Sequence, residues 1–278
     1  MGLGGYLTWT AVAREVHQKF NDPELRILPC EAQGGKITKV VESDVFKNNP
    51  FFYNKENNAP IFPLQLNNPA TNYCKEDRAT QAIHRFDKHI TEQICEFYNI
   101  FEPQLKCDLF FSDKENEKRD SLLKEVSKEF VIIEPTSKTN YTPNRVYPFE
   151  KWQNVVNMLS KHIEVVQVGT DSNKLLNNVT NFIGKTTFRE ASNLIGKSKL
   201  LLSSEGGLTH AATAVETVAL VILTGYQSKN MICYPQNIYI DVATHGPCGL
   251  KVVCKQCAKD AQRHNENEIV EKALNYLE

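Results

Sequence analysis

Apolar positions along the chain fall into two regimes. Near the start, "LTWTAVAREVHQKF" places Val12, Val16 and Phe20 four residues apart on one helical face, with "GLGG" directly upstream as a glycine turn feeding the helix. "LRILPC" and "TKVVES" are short β-rich runs, and residues 47–73 are so crowded with Asn and Pro that no regular element is predicted there. Phe51, Phe52, Tyr53, Ile61, Phe62 and Leu64 give that segment enough apolar surface for an ordered surface loop rather than a disordered linker. A long helical stretch over 77–99 comes next, followed by the charged run "SDKENEKRDSLLKEVSKE", which puts a domain boundary at about 125.

From "FVIIEP" onward, strands and helices alternate over short connections. Residues 130–134, "EVVQVG", "KLLLSS" and "TVALVIL" read as strands, with "FREASNLIGKS" and "LTHAATAVE" as helices between them. In "FEKWQNVVNMLSKH", Phe149, Trp152, Val155, Val156 and Leu159 share one helical face. Continuous apolar strands alternating with amphipathic helices suit a parallel sheet covered on both faces, so 126–278 is predicted to be a doubly wound α/β domain behind a first domain at 1–125. In such sheets ligands bind beyond the carboxyl ends of the strands. The segment "SSEGGLTH" stands there: Gly206 and Gly207 allow close approach, Ser203, Ser204 and Thr209 carry hydroxyls, and the following helix turns its free N–H groups outward, a setting for phosphate. A plain strand-to-helix turn is the other reading of those residues, and His210 alone is equally a satisfied helix histidine.

Charge narrows the field. With 32 basic and 33 acidic residues the formal net charge is -1, so no global field favours nucleic acid or an anionic membrane. No run reaches the roughly 18 apolar residues that span a bilayer, and no secretion signal opens the chain. A cytoplasmic protein with at most peripheral membrane contact is expected. Reduced thiols follow for the eight cysteines. Cys30, Cys74, Cys95, Cys107 and Cys233 are scattered and read as small hydrophobes. Cys248, Cys254 and Cys257 cluster between His245 and His264; a packed thiol-rich loop without metal is expected, and a zinc site, stabilising an interaction protein, is the alternative.

Read together, these stretches resemble glycosyltransferase family nine, the bacterial ADP-heptose:lipopolysaccharide heptosyltransferases. "EGGLTHAAT" is similar to that family's Asp-(Ser/Thr)-Gly-x-x-His-x-Ala-Ala, with Glu205, Gly207 and His210 in step. "NRVYPFEKWQNVV" resembles its Lys-x-Trp-Pro-x-Glu-x-Trp element, with Arg145 at the phosphate-binding lysine and Pro148, Glu150 and Trp152 in register. "IGKTTFREASNLI" resembles the element over the nucleoside, with Glu190 at the ribose-binding glutamate and Gly184 and Lys185 beside it, and "CGLKVVCKQC" resembles a cysteine-containing tail.

The resemblance implies a GT-B fold, two Rossmann-like domains facing a cleft. It implies an inverting, metal-independent transfer of a heptose-like sugar from a nucleotide diphosphate donor to a glycan or glycolipid acceptor in lipopolysaccharide biosynthesis, with no cofactor and no nucleic acid partner. Arg145, Ser204, Gly206, Gly207, Leu208, Thr209 and His210 would hold the donor phosphates, Glu190, Glu205, Gly184 and Lys185 the nucleoside and sugar, and Gly4 and Gly5 would form the acceptor-side turn. Two departures stand out. Gly5 occupies the place of the family's presumed aspartate base, and the chain opens on the turn itself, so the first strand is expected to be absent or the start truncated. "HRFDKH" offers His84, Asp87 and His89 as substitutes, but no base is assigned, and a binding module that kept the donor pocket and lost the chemistry is the competing expectation.

Overall fold

The computed structural model describes residues 2–54, 59–127, 129–136 and 139–278. Residues 55–58 of the predicted surface loop lie outside them.

The second half matches the alternation in its sequence. Strands β6 (Phe130–Glu134), β7 (Glu164–Gly169), β8 (Thr180–Ile183), β9 (Leu201–Ser204), β10 (Ala219–Leu223) and β11 (Ile238–Asp241) form one parallel sheet in the order β11-β10-β9-β6-β7-β8. Taken from β6, this is the doubly wound order 3-2-1-4-5-6, whose switch point lies between β6 and β9. Alternate residues of one strand enter opposite cores. Val131 and Ile133 pack with Trp152, Val155 and Val156 of α4 (Phe149–Leu159) and with α9 (Asn267–Leu277), whereas Phe130 and Ile132 pack with α5 (Phe188–Ile195) and α6 (Gly207–Ala214). The inner strands β6 and β10 are therefore nearly all apolar, because neither face meets water.

The first half differs from its sequence reading in three places. "GLGG" is no turn: α1 runs Leu3–Phe20 and includes Gly4 and Gly5 in its first turn. The stretch 47–73 contains β3 (Ile61–Gln65), parallel to β1 (Arg26–Gln33), which also pairs antiparallel with β2 (Lys36–Val40). Pro63 hid this strand, yet β3 is an edge, where a missing N–H breaks no ladder bond. The predicted helix over 77–99 is a hairpin, β4 (Cys74–Asp77) and β5 (Ala82–His84), followed by the short α2 (Ile90–Phe97). His89 caps α2: its Nδ1 accepts the Thr91 N–H at 3.2 Å while Glu92 reaches back to the His89 N–H at 2.9 Å.

Near 125 the apolar packing is continuous. The charged run folds as α3 (Asp113–Leu123), and Glu115 pairs with buried Arg189 of α5 at 2.5 Å. Leu7, Trp9 and Val12 of α1, Ile27 of β1 and Ile94 of α2 share one hydrophobic cluster with Leu208, Ala211, Val221 and Met231. Helix α1 lies directly on α6, and the approach depends on Gly4, where a Cβ would stand 3.0 Å from Gly207 Cα; a Cβ on Gly207 would instead meet the Phe188 ring of α5 at 3.1 Å.

Candidate functional site

Glu134 ends β6 and Ser204 ends β9, so both stand at the switch point. Past Ser204 the chain extends through Gly206 and enters α6 with no side chain capping its first N–H groups. The start of α1 is likewise uncapped, and its Gly4 amide nitrogen lies 3.6 Å from where a Gly207 Cβ would be. Two helix N-termini, each with positive partial charge, thus converge on one spot, an arrangement that an anion relieves.

Arg145 stands next to this turn, against Glu205. Its Nε lies 2.8 Å from Glu205 Oε1, and its guanidinium carbon sits 4.8 Å over the Tyr226 ring. Glu205 is buried, and this burial raises its carboxyl above the ordinary range despite the neighbouring guanidinium. The contact is one of charge and distance: the Arg145 Nε–H has no hydrogen-bond partner among the described residues. The hydroxyl oxygens of Ser203 and Ser204 are fully buried without a hydrogen-bond partner.

The remaining predicted residues divide. Leu208 packs into the core and offers the crevice only its main chain, and Thr209 donates its hydroxyl to Gly206 O at 2.7 Å. His210 Nδ1 meets the Tyr234 hydroxyl at 2.6 Å, and burial, then Arg145, hold its pKa down to about 4. Glu190 caps α5 by accepting the Thr187 N–H at 2.8 Å, Lys185 pairs with Glu125 at 2.7 Å, and Gly184 turns the chain beside Asp171. Phe188, not Glu190, is the α5 side chain in contact with Gly207. From "HRFDKH", Asp87 faces solvent and pairs with Arg85 at 2.8 Å, while His84 and His89 turn inward against Tyr226 and Tyr234. Burial lowers His84 to about 4 and His89 to about 3, so both are neutral near pH 7. Sequence reasoning passed over Glu134, Tyr226 and Tyr234; the first was signalled by its place at the end of the first strand of the sheet.

The cysteine loop brings its thiols and one imidazole together. Cys257 Sγ lies 3.4 Å from His245 Nε2 and 3.5 Å from Cys248 Sγ, and Cys254 Sγ lies 3.9 Å from His245 Nε2. A tetrahedral site with Zn–S bonds of ~2.3 Å has edges of about 3.5–3.8 Å, so His245, Cys254 and Cys257 stand close to where one ion would bind them, and Cys248, 3.5 Å from Cys257, is the neighbouring fourth thiol. His245, Cys254 and Cys257 alone meet within 4.8 Å. Main-chain N–H groups of Leu250 and Cys257 point at Cys248 and Cys254 Sγ at 3.5 Å, and Asp260 Oδ2 lies 3.4 Å from His245 Nδ1, the outer-shell carboxylate that orients a ligating imidazole. The Cys257 thiol donates to Cys248 and holds it down to about 6. His264 takes no part, being bound to the Tyr147 hydroxyl at 2.8 Å.

Gly249 in this loop has φ +58, and a Cβ there would strike Ala82 O of the hairpin. Gly249→Ala is expected to cost on the order of 1–3 kcal/mol through both strain and that clash. Thermal unfolding measures it; an unchanged midpoint would mean that the loop and hairpin do not depend on each other.

Glycosyltransferase family 9 (heptosyltransferase) matches residues 63–236, more than half of the chain. Among curated proteins no sequence matches it. Solved structures share the fold: E. coli ADP-heptose LPS heptosyltransferase II at 16% identity and TM-score 0.54, over 68% of this chain and 62% of that one. A Veillonella parvula family 9 glycosyltransferase follows at 10% and 0.53, over 70% and 62%. TibC from enterotoxigenic E. coli, described as an iron-containing dodecameric glycosyltransferase, matches at 15% and 0.65 over 100% of this chain and 75% of its own, and TibC has also been solved with ADP-D-beta-D-heptose. Against the first two, the chain thus spans 62% of the relative's length. The chain belongs to glycosyltransferase family 9.

Proposed function

We propose that this chain transfers a sugar, heptose-like by its family, from a nucleoside diphosphate donor to a glycan or glycolipid acceptor, with inversion. The observation that supports this most is that Arg145 rests on Glu205, the residue just before the turn into α6, whose uncapped start adjoins that of α1 at the switch point of the sheet. In the reaction the acceptor hydroxyl attacks the anomeric carbon as the bond to the diphosphate oxygen breaks. The negative charge that grows on the leaving diphosphate is stabilised by the Arg145 fork and by the amides that open α6, groups held in place before the reaction begins. Glu134 is the carboxylate beside Gly206 on the crevice floor. Location in the cytoplasm, where sugar nucleotides are made, fits this role, and among the described residues no helix is long and apolar enough to cross a membrane.

A metal is proposed beside the reaction, not in it. Iron, the metal named for TibC, or zinc fits the thiolates of Cys248, Cys254 and Cys257 with His245 Nε2, and when bound it would fasten the 245–257 loop without touching the diphosphate. Gly5 in place of a proton acceptor favours one second reading, donor binding without turnover. Incubation with a panel of nucleotide sugars, scored by released nucleoside diphosphate and by calorimetric binding, tests both. Release from ADP-heptose supports transfer, tight binding without release supports the second reading, and no binding of any donor removes both.

A further inference from the structure

The loop that carries the four donors also holds both walls of the crevice. On one side it runs along the β4–β5 hairpin. Ala82 N–H donates to Gly249 O at 2.8 Å, Lys251 N–H to Thr80 O at 2.9 Å, and Gln81 Nε2 to Cys248 O at 3.1 Å. That hairpin ends in His84, whose ring meets Tyr226 edge-on at 5.9 Å beneath Arg145.

On the other side stands Asn144, which is 6% exposed. Its Nδ2 donates to Leu250 O and to Val252 O, each at 2.8 Å, and its Oδ1 accepts the Cys254 N–H at 2.8 Å. An Asn side chain has two N–H donors and one carbonyl, and all of them are committed to the cysteine loop. The Asn144 carbonyl in turn accepts the Thr224 hydroxyl at 2.6 Å. The next residue is Arg145. No other side chain places two donors and an acceptor on so short a stem: Asp keeps only the acceptor, and Gln moves the amide out by a methylene.

We infer that Asn144 is a positioning residue that couples metal occupancy of the Cys248, Cys254, Cys257 and His245 cluster to the grip of Arg145 on a diphosphate. This rests on the diphosphate-binding reading above. With an ion in place the four donors fix the loop, the loop fixes the Asn144 amide, and the main chain at 144–145 is held where the guanidinium faces the helix ends. Without the ion the peptide groups of 250–254 are free to shift, and the cost of ordering Arg145 is drawn from the affinity for the diphosphate.

The test uses ADP as probe. Its affinity is measured by calorimetry for wild type and Asn144→Ala, each metal-loaded and chelator-stripped, with metal content from elemental analysis and folding from circular dichroism. Stripping the wild type is expected to weaken ADP about tenfold, and Asn144→Ala to weaken it about as much while metal stays stoichiometric; stripping the variant then adds less than about twofold. Losses that multiply, a wild type indifferent to stripping, or a protein that takes up no metal would each overturn the coupling. Should a stripped or variant protein fail to fold, Thr224→Val in the loaded protein replaces it: a several-fold loss of ADP affinity at constant metal content is expected, and unchanged affinity overturns the inference. A folded, metal-loaded wild type that ignores ADP refutes the diphosphate reading, and the coupling falls with it; ADP binding with multiplicative losses refutes the coupling alone.

Discussion

Arg145→Ala is expected to lower kcat/KM by a factor of about 10²–10³, the loss of roughly 2.7–4 kcal/mol that follows removal of one charge-stabilising donor from a preorganised site. Two effects combine in this variant and can be separated. The diphosphate loses its guanidinium, and Glu205, whose side chain is 7% exposed, loses the cation at 2.8 Å. Breaking one side of such a buried pair costs about 3–5 kcal/mol of stability. Adding Glu205→Gln to Arg145→Ala removes the stranded carboxylate, so the double variant is expected to recover much of the melting temperature and none of the activity. Arg145→Lys keeps a charge without the fork and should lie between, about tenfold down. Steady-state release of nucleoside diphosphate and thermal unfolding read the two effects independently. Wild-type kcat/KM in Arg145→Ala would end the assignment of this residue to the donor.

Stability should fall steeply as the solution is acidified below pH 6. His84 and His210 are held down to about 4 and His89 to about 3, in each case chiefly by burial, with Arg145 adding to the first two and His210 to the third. Each is lowered from 6.5, so the unfolded chain takes up the proton first. The stabilisation is complete above about 6.5 and is lost as pH falls toward 4, at up to about 1.4 kcal/mol per pH unit for each group. Glu205 acts in the opposite sense. Its raised carboxyl takes up a proton in the folded state before it does so in the unfolded chain, which adds stability as pH falls through its folded value toward 4.5. Glu115 and Glu266, both held down to about 2 by their cationic partners, add further losses below 4.5. Melting temperature against pH measures the sum, and His89→Gln should flatten the slope between pH 6.5 and 4. A flat profile in the wild type over that window would mean that the three imidazoles are not buried as described.

Much of the second half was legible because a sheet covered on both faces favours apolar strand residues. Runs such as "FVIIE" and "ALVIL" announce themselves, and the turn after "LLSS" then falls at the end of a strand. The short edge strands β8 and β11 were not marked, since "TNFI" and "IYID" carry fewer apolar residues and meet only one neighbour. In the first half the signals pointed the wrong way. Pro63 and the surrounding Asn residues suit a loop, although an outer strand tolerates them, and the β4–β5 hairpin gains its partner from residues 248–251, far along the chain. Long range also hid the site chemistry. Nothing in the spacing of Arg145 and Glu205 announces that they touch, and His245 and His264 flank the cysteines on either side in sequence while only the first reaches them.

The convergence of α1 on α6 bears on how this crevice endures divergence. Peptide nitrogens belong to no particular amino acid, so most neighbouring positions are free to drift without changing what the cradle offers an incoming anion. The exceptions are Gly4, where a single methyl group would wedge the two helix ends apart, and Gly207, where one would press on the Phe188 ring.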